Sequence, residues 1–320
     1  MLGLVLILTL SGCAVFLGSR IESREERAED RFPPLGEFVE IDGTRIHALV
    51  EGSGPDLVLI HGASGNLRDF TFDLVDRLKG RYRVFAFDRP GLGYSDRTDP
   101  DYARPFNARA ESPQEQAAIL SRAAKELGAE NPIVLGHSYG GSVAMAWGLD
   151  HPAAALVILA GATMPWPGAL GAQYTVLGTG FGGAVVPPVI TAFAGSERIE
   201  SAVGGIFAPQ TPPEGYIDHV GAGLTLRRSS LRANARQVNS LRPHVVRMSS
   251  RYDGLTLPVE LLHGALDDTV PLQIHSGPLA GLLPNANLTV LPGIGHMPHH
   301  AAPGETLAAI DRAARRAGLK

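Results

Sequence analysis

One serine lies in a short segment that begins and ends with glycine, a pattern that is typical of a nucleophilic serine. Residues 136–140 read Gly-His-Ser-Tyr-Gly, which matches the pattern G-x-S-x-G and centres on Ser138. The run directly follows the apolar residues 132–135 and precedes residues 141–150, which can form a helix. A serine in such a strand-to-helix turn presents its Oγ above the sheet, and the N–H of the following Tyr139 lies at a helix N-terminus. The pattern therefore predicts a nucleophilic serine with a backbone donor beside it.

Such a serine needs a base to take its proton and a carboxylate to orient that base. Asp267 and Asp268 stand shortly after the apolar segment 259–262, and His296 stands in a loop after the segment 288–291. The chain order serine, carboxylate, histidine is the order expected when the serine occupies a strand-to-helix turn. These residues therefore predict a catalytic triad, with the choice between the two carboxylates left open by the spacing alone.

Short apolar runs alternate with helix-compatible segments along most of the chain, as in a parallel sheet covered on both faces. An Asp42-Gly43 turn first predicts a hairpin between residues 38–41 and 45–50. The predicted strands are 57–60, 83–87, 132–135, 156–159, 259–262 and 288–291, and the predicted helices include 69–79, 113–127 and 141–150. The pattern predicts an α/β fold with a mostly parallel, doubly wound sheet.

The alternation breaks once, between the strands at 156–159 and 259–262. Residues 168–252 are too long a connection to lack structure of their own, and they contain helical patterns near 184–194, 214–222 and 225–240. We therefore expect an inserted helical cap at 168–252. The catalytic core is predicted to comprise residues 36–167 and 253–320.

Composition excludes several classes of protein. The chain has 320 residues, with 28 basic and 32 acidic side chains and a formal charge of −4. A chain with this slightly negative charge lacks the excess of basic residues that nucleic-acid binding requires. The single cysteine, Cys13, excludes an internal disulfide framework and a cysteine-based zinc site.

The N-terminal residues 1–19 carry no charged side chain, and the first charge is Arg20. As a helix they would span ~28 Å, close to the thickness of a bilayer core. We expect a membrane anchor, in a bacterial inner membrane, and arginines after it would keep the globular part cytoplasmic. The alternative is a lipoprotein signal, since residues 10–13 resemble a lipobox ending at Cys13, which would export the protein. No basic residue precedes the apolar run, which favours the anchor.

The charged residues that follow are predicted to form a solvated helical spacer over 20–35. Pro33-Pro34 ends it and marks the entry to the globular part.

Taken together, these motifs resemble the α/β-hydrolase superfamily of lipases, esterases and epoxide-hydrolase-like enzymes, over about residues 36–318. The matching pieces are His61-Gly62-Ala63-Ser64, residues 88–95, the run 136–140, residues 264–271 and Gly295-His296. The resemblance implies that Asp267, the first aspartate of its block, is the acid of the triad. It also implies that the backbone N–H of Ala63 joins that of Tyr139 in an oxyanion hole.

The same resemblance gives structural roles to three other polar residues. Asp88 and Ser95 belong to a tight turn in this superfamily, and His61 is expected to order the oxyanion loop. No cofactor is implied. His299 and His300 beside His296 could suggest a metal cluster, but no carboxylate or cysteine lies near them in sequence, so no metal is expected.

The resemblance implies a serine hydrolase. Because the insertion is apolar and a membrane anchor favours lipophilic ligands, we expect its substrate to be a lipophilic carboxylic ester of small to medium size. The partners expected are this small-molecule substrate and a membrane through residues 1–19, without nucleic acid. The alternatives with the same fold are a cofactor-free haloperoxidase or perhydrolase, a C–C bond hydrolase, a peptidase, or a non-catalytic ligand-binding relative. The natural substrate and the oligomeric state stay open at this point.

Overall fold

The core of the molecule is an eight-stranded sheet with the strand order β1-β2-β4-β3-β5-β6-β7-β8. The computed structural model describes the backbone of residues 2–319 and the side chains of residues 15–319. The strands are β1 (Glu37–Ile41), β2 (Thr44–Gly52), β3 (Asp56–Ile60), β4 (Arg83–Phe87), β5 (Ile133–His137), β6 (Ala155–Leu159), β7 (Val259–Gly264) and β8 (Ala286–Leu291). β2 pairs antiparallel with β1 and β4, and the remaining neighbours are parallel. The predicted α/β fold with a mostly parallel sheet is confirmed.

The central strands are apolar on both sides because helices cover both faces of the sheet. In β3, for example, Val58 and Ile60 belong to one buried cluster, and Leu57 and Leu59 belong to the cluster on the other face. The helices of the core are α2 (Arg68–Thr71), α3 (Leu74–Leu78), α4 (Pro100–Ala103), α5 (Pro113–Glu126), α6 (Tyr139–Asp150), α13 (Ser276–Leu282), α14 (Pro298–Ala301) and α15 (Pro303–Arg316). All parallel strands end at one edge of the sheet, where loops can converge.

The connection between β6 and β7 is mainly helical. It contains α7 (Ala172–Leu177), α8 (Gly180–Phe193), α9 (Ser196–Phe207), α10 (Tyr216–His219), α11 (Ala222–Thr225) and α12 (Arg228–Ser249), followed by a short 3₁₀ turn (Tyr252–Gly254). We call α7–α12 the cap. The division of the chain at residues 168 and 252 stays a prediction.

Helix α8 begins earlier than its sequence suggested and continues through Pro187 and Pro188. A proline inside a helix leaves the carbonyl four residues earlier without its usual N–H partner. For Pro187 this carbonyl belongs to Gly183, and it accepts a hydrogen bond from Nε of Arg232 at 2.8 Å. The cap therefore satisfies the backbone group that the proline leaves unpaired.

The N-terminal helix α1 (Leu2–Arg31) lies against the cap over its charged part. Ile21 is buried there, and the guanidinium groups of Arg20 and Arg24 donate to the carbonyls of Ala192 and Ala194 at 2.7 and 2.5 Å. The ion pairs that join this helix to the cap are Glu25–Arg228, Glu29–Arg227 and Arg31–Asp218. The segment predicted as a solvated helical spacer is helical to Arg31, and these of its side chains contact the cap.

Within the part of the chain that the structure describes, no helix is both long enough and apolar enough to cross a membrane. The side chains of residues 1–14, which include Cys13 and most of the expected anchor, lie outside the described residues. The anchor and the lipoprotein alternative gain no support from the described helices, and both stay predictions.

Candidate active site

Ser138 occupies a strained turn between β5 and α6. Its φ of 53° and ψ of −117° lie outside the regions that side-chain-bearing residues normally adopt, a conformation that costs about 1–3 kcal/mol and concentrates at functional sites. The turn is possible because Gly136 has no Cβ, which would collide with the Gly140 carbonyl. The backbone N–H of Ser138 donates to Leu159 at 2.9 Å, which ties the turn to β6.

His296 and Asp267 meet at the same edge of the sheet. The Nδ1–H of His296 donates to Oδ2 of Asp267 at 2.8 Å, which leaves Nε2 as the basic nitrogen of the ring. The other carboxylate oxygen accepts from the backbone N–H groups of Thr269 and Val270 at 3.0 and 2.8 Å. The neighbouring Asp268 is exposed. The structure therefore places Asp267 and not Asp268 beside the histidine.

Burial alone would raise the pKa of Asp267, but its hydrogen bonds outweigh that effect. Donors from His263 and His296, together with the charge of the His296 ring, hold the pKa of Asp267 well below its usual value. Asp267 therefore stays a carboxylate at neutral pH, able to orient His296 and to stabilise its protonated form.

His263 is a partner of this carboxylate that sequence reasoning missed. Its Nε2 lies 3.1 Å from Oδ2 of Asp267 and 2.7 Å from the carbonyl of Val270. Its Nδ1 lies 2.7 Å from the Ser276 hydroxyl, which donates to it when Nε2 carries the ring proton. This arrangement gives Oδ2 of Asp267 a second histidine contact beside that of His296.

The serine turn and the histidine loop are joined through His137. The Nε2–H of His137 donates to the backbone carbonyl of His296 at 3.0 Å, and the two ring centres are 5.0 Å apart. Among the described residues no hydrogen bond joins the Ser138 hydroxyl to His296, a contact that in free enzymes is often long until substrate binds. Both side chains are buried, at 8% and 4% relative exposure.

The loop after β3 passes over the serine. A Cβ built on Gly62 would lie 3.1 Å from the Cβ of Ser138. Next to it, the Ala63 N–H has no acceptor among the residues the structure describes, and the N–H of Tyr139, first residue of α6, precedes any intrahelical partner. The N–H of Tyr139, next to the serine, and that of Ala63, next to Gly62, are thus without an acceptor among the described residues, which is the condition that an oxyanion hole requires.

Side chains from the cap hold this loop in place. Ser64, with a φ of 57°, donates its N–H to Oδ1 of Asn234 at 2.7 Å, and its hydroxyl accepts from the Asn234 amide at 2.9 Å. The hydroxyl of Thr225 donates to the Ser64 carbonyl at 2.8 Å. The residue after the predicted donor Ala63 is therefore bound on three sides by the cap.

A second cap residue, Gln210, holds the histidine loop. Its amide nitrogen donates to the Gly293 carbonyl at 2.8 Å, and its amide oxygen accepts from the Gly295 N–H at 2.9 Å. Gly295 directly precedes His296, so the backbone of the proposed base is fixed from both the cap and the serine turn.

His61 has a structural setting. Its Nδ1–H donates to the Gly62 carbonyl at 2.8 Å, and its Nε2 accepts from the N–H of Arg89 at 3.0 Å. Burial, with the nearby Arg89 charge, lowers the pKa of His61 to about 4. A neutral ring with both nitrogens occupied orders the oxyanion loop, as its sequence position suggested.

Asp88 and Ser95 also serve the backbone. The Asp88 carboxylate accepts from His47 at 2.7 Å and from the N–H groups of Leu67 and Tyr94 at 2.8 Å. The Ser95 hydroxyl donates to the Asp88 carbonyl at 2.7 Å. These bonds account for both side chains without a catalytic role.

The buried carboxylate of Asp69 forms hydrogen bonds with two histidines that follow His296 in the sequence. It accepts from Tyr216 of the cap at 2.8 Å, from His300 at 2.8 Å and from His299 at 3.1 Å. Burial alone would raise the pKa of Asp69, but hydrogen bonds and charge from His299 and His300 hold it well below its usual value. The sequence offered no carboxylate near these histidines, and the fold supplies one from α2.

Asp69, His137 and His299 bring three potential metal-ligand atoms within 4.8 Å of one another. Asp69 and His299 already bond to each other, and His137 bonds to the His296 carbonyl. Among the described residues the Nδ1 of His299 has no hydrogen-bond partner, but a metal ion on Asp69 would compete with the bonds of that carboxylate to His299, His300 and Tyr216. The cluster therefore fits a hydrogen-bonded group better than a metal centre.

A cleft of ≈ 660 Å³ opens between residues 166–170 and α12. Trp166, Leu170 and Val246 are among its lining residues, and none of the triad residues lines it.

The chain belongs to the alpha/beta hydrolase family, whose sequence model matches residues 57–310. Among solved structures it is similar to an alpha/beta hydrolase fold protein from Burkholderia ambifaria, with a TM-score of 0.70 and 23% identity over 86% of this chain and 97% of that one. It is also similar to an esterase from Rhodococcus sp., with a TM-score of 0.64 and 25% identity over 90% and 100% of the two chains. Family and neighbours support a hydrolase.

One curated relative is the dihydrolipoyllysine-residue acetyltransferase component of the acetoin cleaving system of Cupriavidus necator. The match is 34% identical over 152 residues, which is 47% of this chain and 38% of that protein. The chain thus spans well under half of that relative.

Proposed function

We propose that this protein is a serine hydrolase that cleaves a carboxylic ester of small to medium size with an apolar part. The observation that carries the proposal is the strained backbone of Ser138, at φ 53° and ψ −117°, at the sheet edge that also holds the Asp267–His296 pair. Backbone strain of this kind persists only where the surrounding structure enforces it. In a nucleophilic serine the strained turn exposes the Oγ above the sheet.

In the proposed reaction the Oγ of Ser138 forms a bond to the ester carbonyl carbon, and Nε2 of His296 takes the hydroxyl proton. The N–H groups of Ala63 and Tyr139 stabilise the oxyanion. The carbon–oxygen bond to the alcohol then breaks, and the alcohol leaves with the proton from His296. Water, deprotonated by His296, attacks the acyl-enzyme, and collapse of the second intermediate releases the acid and returns the proton to Ser138.

Two observations support an ester with an apolar part. The similar solved structures include a protein named as an esterase, at 25% identity. The cap over the site is rich in small apolar residues, and α8 has no charged residue at all. Membrane attachment through residues 1–19, proposed on their uncharged sequence, would give such a protein access to lipophilic esters.

A fluorophosphonate probe tests the nucleophile. The full-length protein is expected to label, and the Ser138→Ala variant is expected not to label. A matched control is Ser142→Ala, since Ser142 is a buried serine of α6 whose hydroxyl already bonds to Ala162. Folded protein that does not label, or equal labelling of Ser138→Ala, would overturn the proposal.

A series of p-nitrophenyl esters of increasing acyl length tests the substrate class. Turnover that depends on Ser138 is expected, with a preference for an apolar acyl chain. If the protein labels but hydrolyses none of the esters, the ester assignment is wrong, and the peptidase and C–C hydrolase alternatives gain weight.

Fractionation of cells tests the membrane proposal. The full chain is expected in the membrane fraction, and removal of residues 1–19 is expected to move it to the soluble fraction. A Cys13→Ser variant that loses membrane association would favour the lipoprotein alternative, whereas one that keeps it favours the anchor.

A further inference from the structure

Helix α8 is unusual for a helix at the surface of a protein. Its sequence, GFGGAVVPPVITAF, contains no charged side chain, and its outward residues are as apolar as its inward ones. Phe181, Val185, Val189 and Phe193 are all exposed, Phe181 at 74%, while Pro187 and Ala192 are buried against the cap. A surface helix normally turns a polar face to water, so the outward face of α8 lacks the expected polar residues.

The four exposed residues form one row, because positions four apart lie on the same side of a helix. We call Phe181, Val185, Val189 and Phe193 the apolar stripe. At its beginning the stripe adjoins Phe106, also exposed, since the Gly180 backbone packs against the Phe106 carbonyl. Contiguous apolar surface of this kind marks a contact with another apolar phase or partner.

At its other end the stripe meets helix α1. The Arg20 guanidinium lies 5.2 Å from the centre of the Phe193 ring. One turn earlier on α1, Val15 and Phe16 are exposed at 72% and 62%. The residues before them in sequence, 1–14, carry no charge. The apolar stripe therefore ends beside the part of α1 that carries the exposed Val15 and Phe16.

The charges at this border favour a lipid surface over a second copy of the chain. Arg20 and Arg24 donate to backbone carbonyls of Ala192 and Ala194, and among the described residues neither has a carboxylate partner. Two copies packed through this border would bring unneutralised cations together, whereas lipid phosphates would neutralise them. Apolar side chains flanked by arginine are what an interfacial helix presents to a bilayer.

We propose that the apolar stripe of α8, with Val15 and Phe16 of α1, docks the cap on the surface of an anionic phospholipid bilayer. The stripe lies in the interface and does not cross it. This inference rests on the membrane location proposed for residues 1–19, and it is independent of the serine chemistry. It places the cap, and the site beneath it, against the phase in which lipophilic esters dissolve.

Fluorescence quenching by lipid tests the contact without an activity readout. An environment-sensitive fluorescent amino acid is placed at position 185 in the full chain, which leaves Cys13 intact, and the protein is reconstituted into phosphatidylcholine vesicles with a minor share of phosphatidylglycerol. The matched control carries the same label at position 290, since Val290 is a similarly exposed valine on the edge strand β8. Lipids with a nitroxide near the headgroup are expected to quench position 185 at least about twofold more than position 290.

Equal quenching at the two positions in vesicle-bound protein would overturn the proposal, and so would protein that does not bind the vesicles. If the label at 185 becomes shielded with rising protein concentration in the absence of lipid, and vesicles change nothing, the stripe is a contact between copies and the proposal is wrong. Fluorophosphonate labelling of the same samples separates these outcomes from a failure of the hydrolase proposal.

Discussion

The ring of His137 donates through Nε2 to the backbone carbonyl of His296 at 3.0 Å, so the residue before the proposed nucleophile holds the loop of the proposed base. Burial, together with His299 and His296 nearby, keeps the pKa of His137 well below its ordinary value. The ring is therefore neutral at physiological pH, and the hydrogen bond fixes its proton on Nε2.

We expect His137→Leu to lower kcat about tenfold, because a buried carbonyl left without its donor costs about 1–3 kcal/mol and frees the histidine loop to shift. His137→Gln retains an N–H donor and should restore most of the activity. The measurement is kcat against pH for both variants on the best p-nitrophenyl ester. Equal losses in the two variants, with equal loss of stability, would indicate a packing role instead.

Asp267→Asn should lower kcat by about 10³–10⁴, because an amide can neither fix the Nδ1–H tautomer of His296 nor stabilise its protonated form. Asp268→Asn is the matched control and should leave kcat unchanged, since its side chain is exposed beside the site. Steady-state kinetics of both variants decide the matter. A larger loss in Asp268→Asn would reverse the assignment of the acid.

Asn234→Ala removes two of the cap's hydrogen bonds to Ser64 and should lower kcat about tenfold with a smaller change in KM, because the oxyanion loop loses its support. Asn239→Ala, on the exposed side of the same helix, is the control and should behave like the native protein. The kcat and KM of the two variants are compared at one pH. An unchanged kcat in Asn234→Ala would show that the loop keeps its geometry without the cap.

Stability should fall as the pH drops from about 6.5 towards 4, partly through His275. Its Nδ1 accepts from the Met164 N–H at 3.2 Å, which requires a neutral ring, and burial together with the nearby His263 lowers its pKa to about 4. The unfolded ring titrates near 6.5, so within this window His275 alone binds up to one more proton in the unfolded chain than in the folded one. Each such proton costs about 1.4 kcal/mol per pH unit.

The check is urea unfolding of the native protein and His275→Gln across this pH range. The free energy of unfolding of the variant should fall less steeply with decreasing pH, and the difference in slope should correspond to about one bound proton. Parallel curves for the two proteins would mean that His275 titrates equally in both states.

The elements that carry the candidate site could be predicted from sequence because their signals are local. The turn at Ser138 needs glycines on either side, and the candidate acid and base each follow a recognisable apolar strand. Chain order then gives an arrangement at one edge of the sheet, and the structure brings Asp267 and His296 to hydrogen-bond distance there.

The residues that hold the site could not be found this way. Asn234, Gln210 and Tyr216 contact residues that are far away in the sequence. A polar residue on a cap helix or loop carries no sequence pattern that shows whether it supports the site or faces solvent. Asp69 shows the same limit, because its histidine partners are 230 and 231 residues away. The charged residues after position 19 read as a solvated helix, since sequence does not reveal that Arg20 and Arg24 meet backbone carbonyls of α8.

Helix α1 is attached to the cap by ion pairs and hydrogen bonds, and one of these contacts leads towards the candidate site. Glu29 of α1 bonds to Arg227, which stands two residues after Thr225, and Thr225 holds the Ser64 carbonyl. These contacts connect α1 through the cap to the loop after β3, and the chain also continues directly from Arg31 to β1. A restraint on α1 would therefore act on the loop that carries Ala63 through the cap, as well as on the sheet through β1.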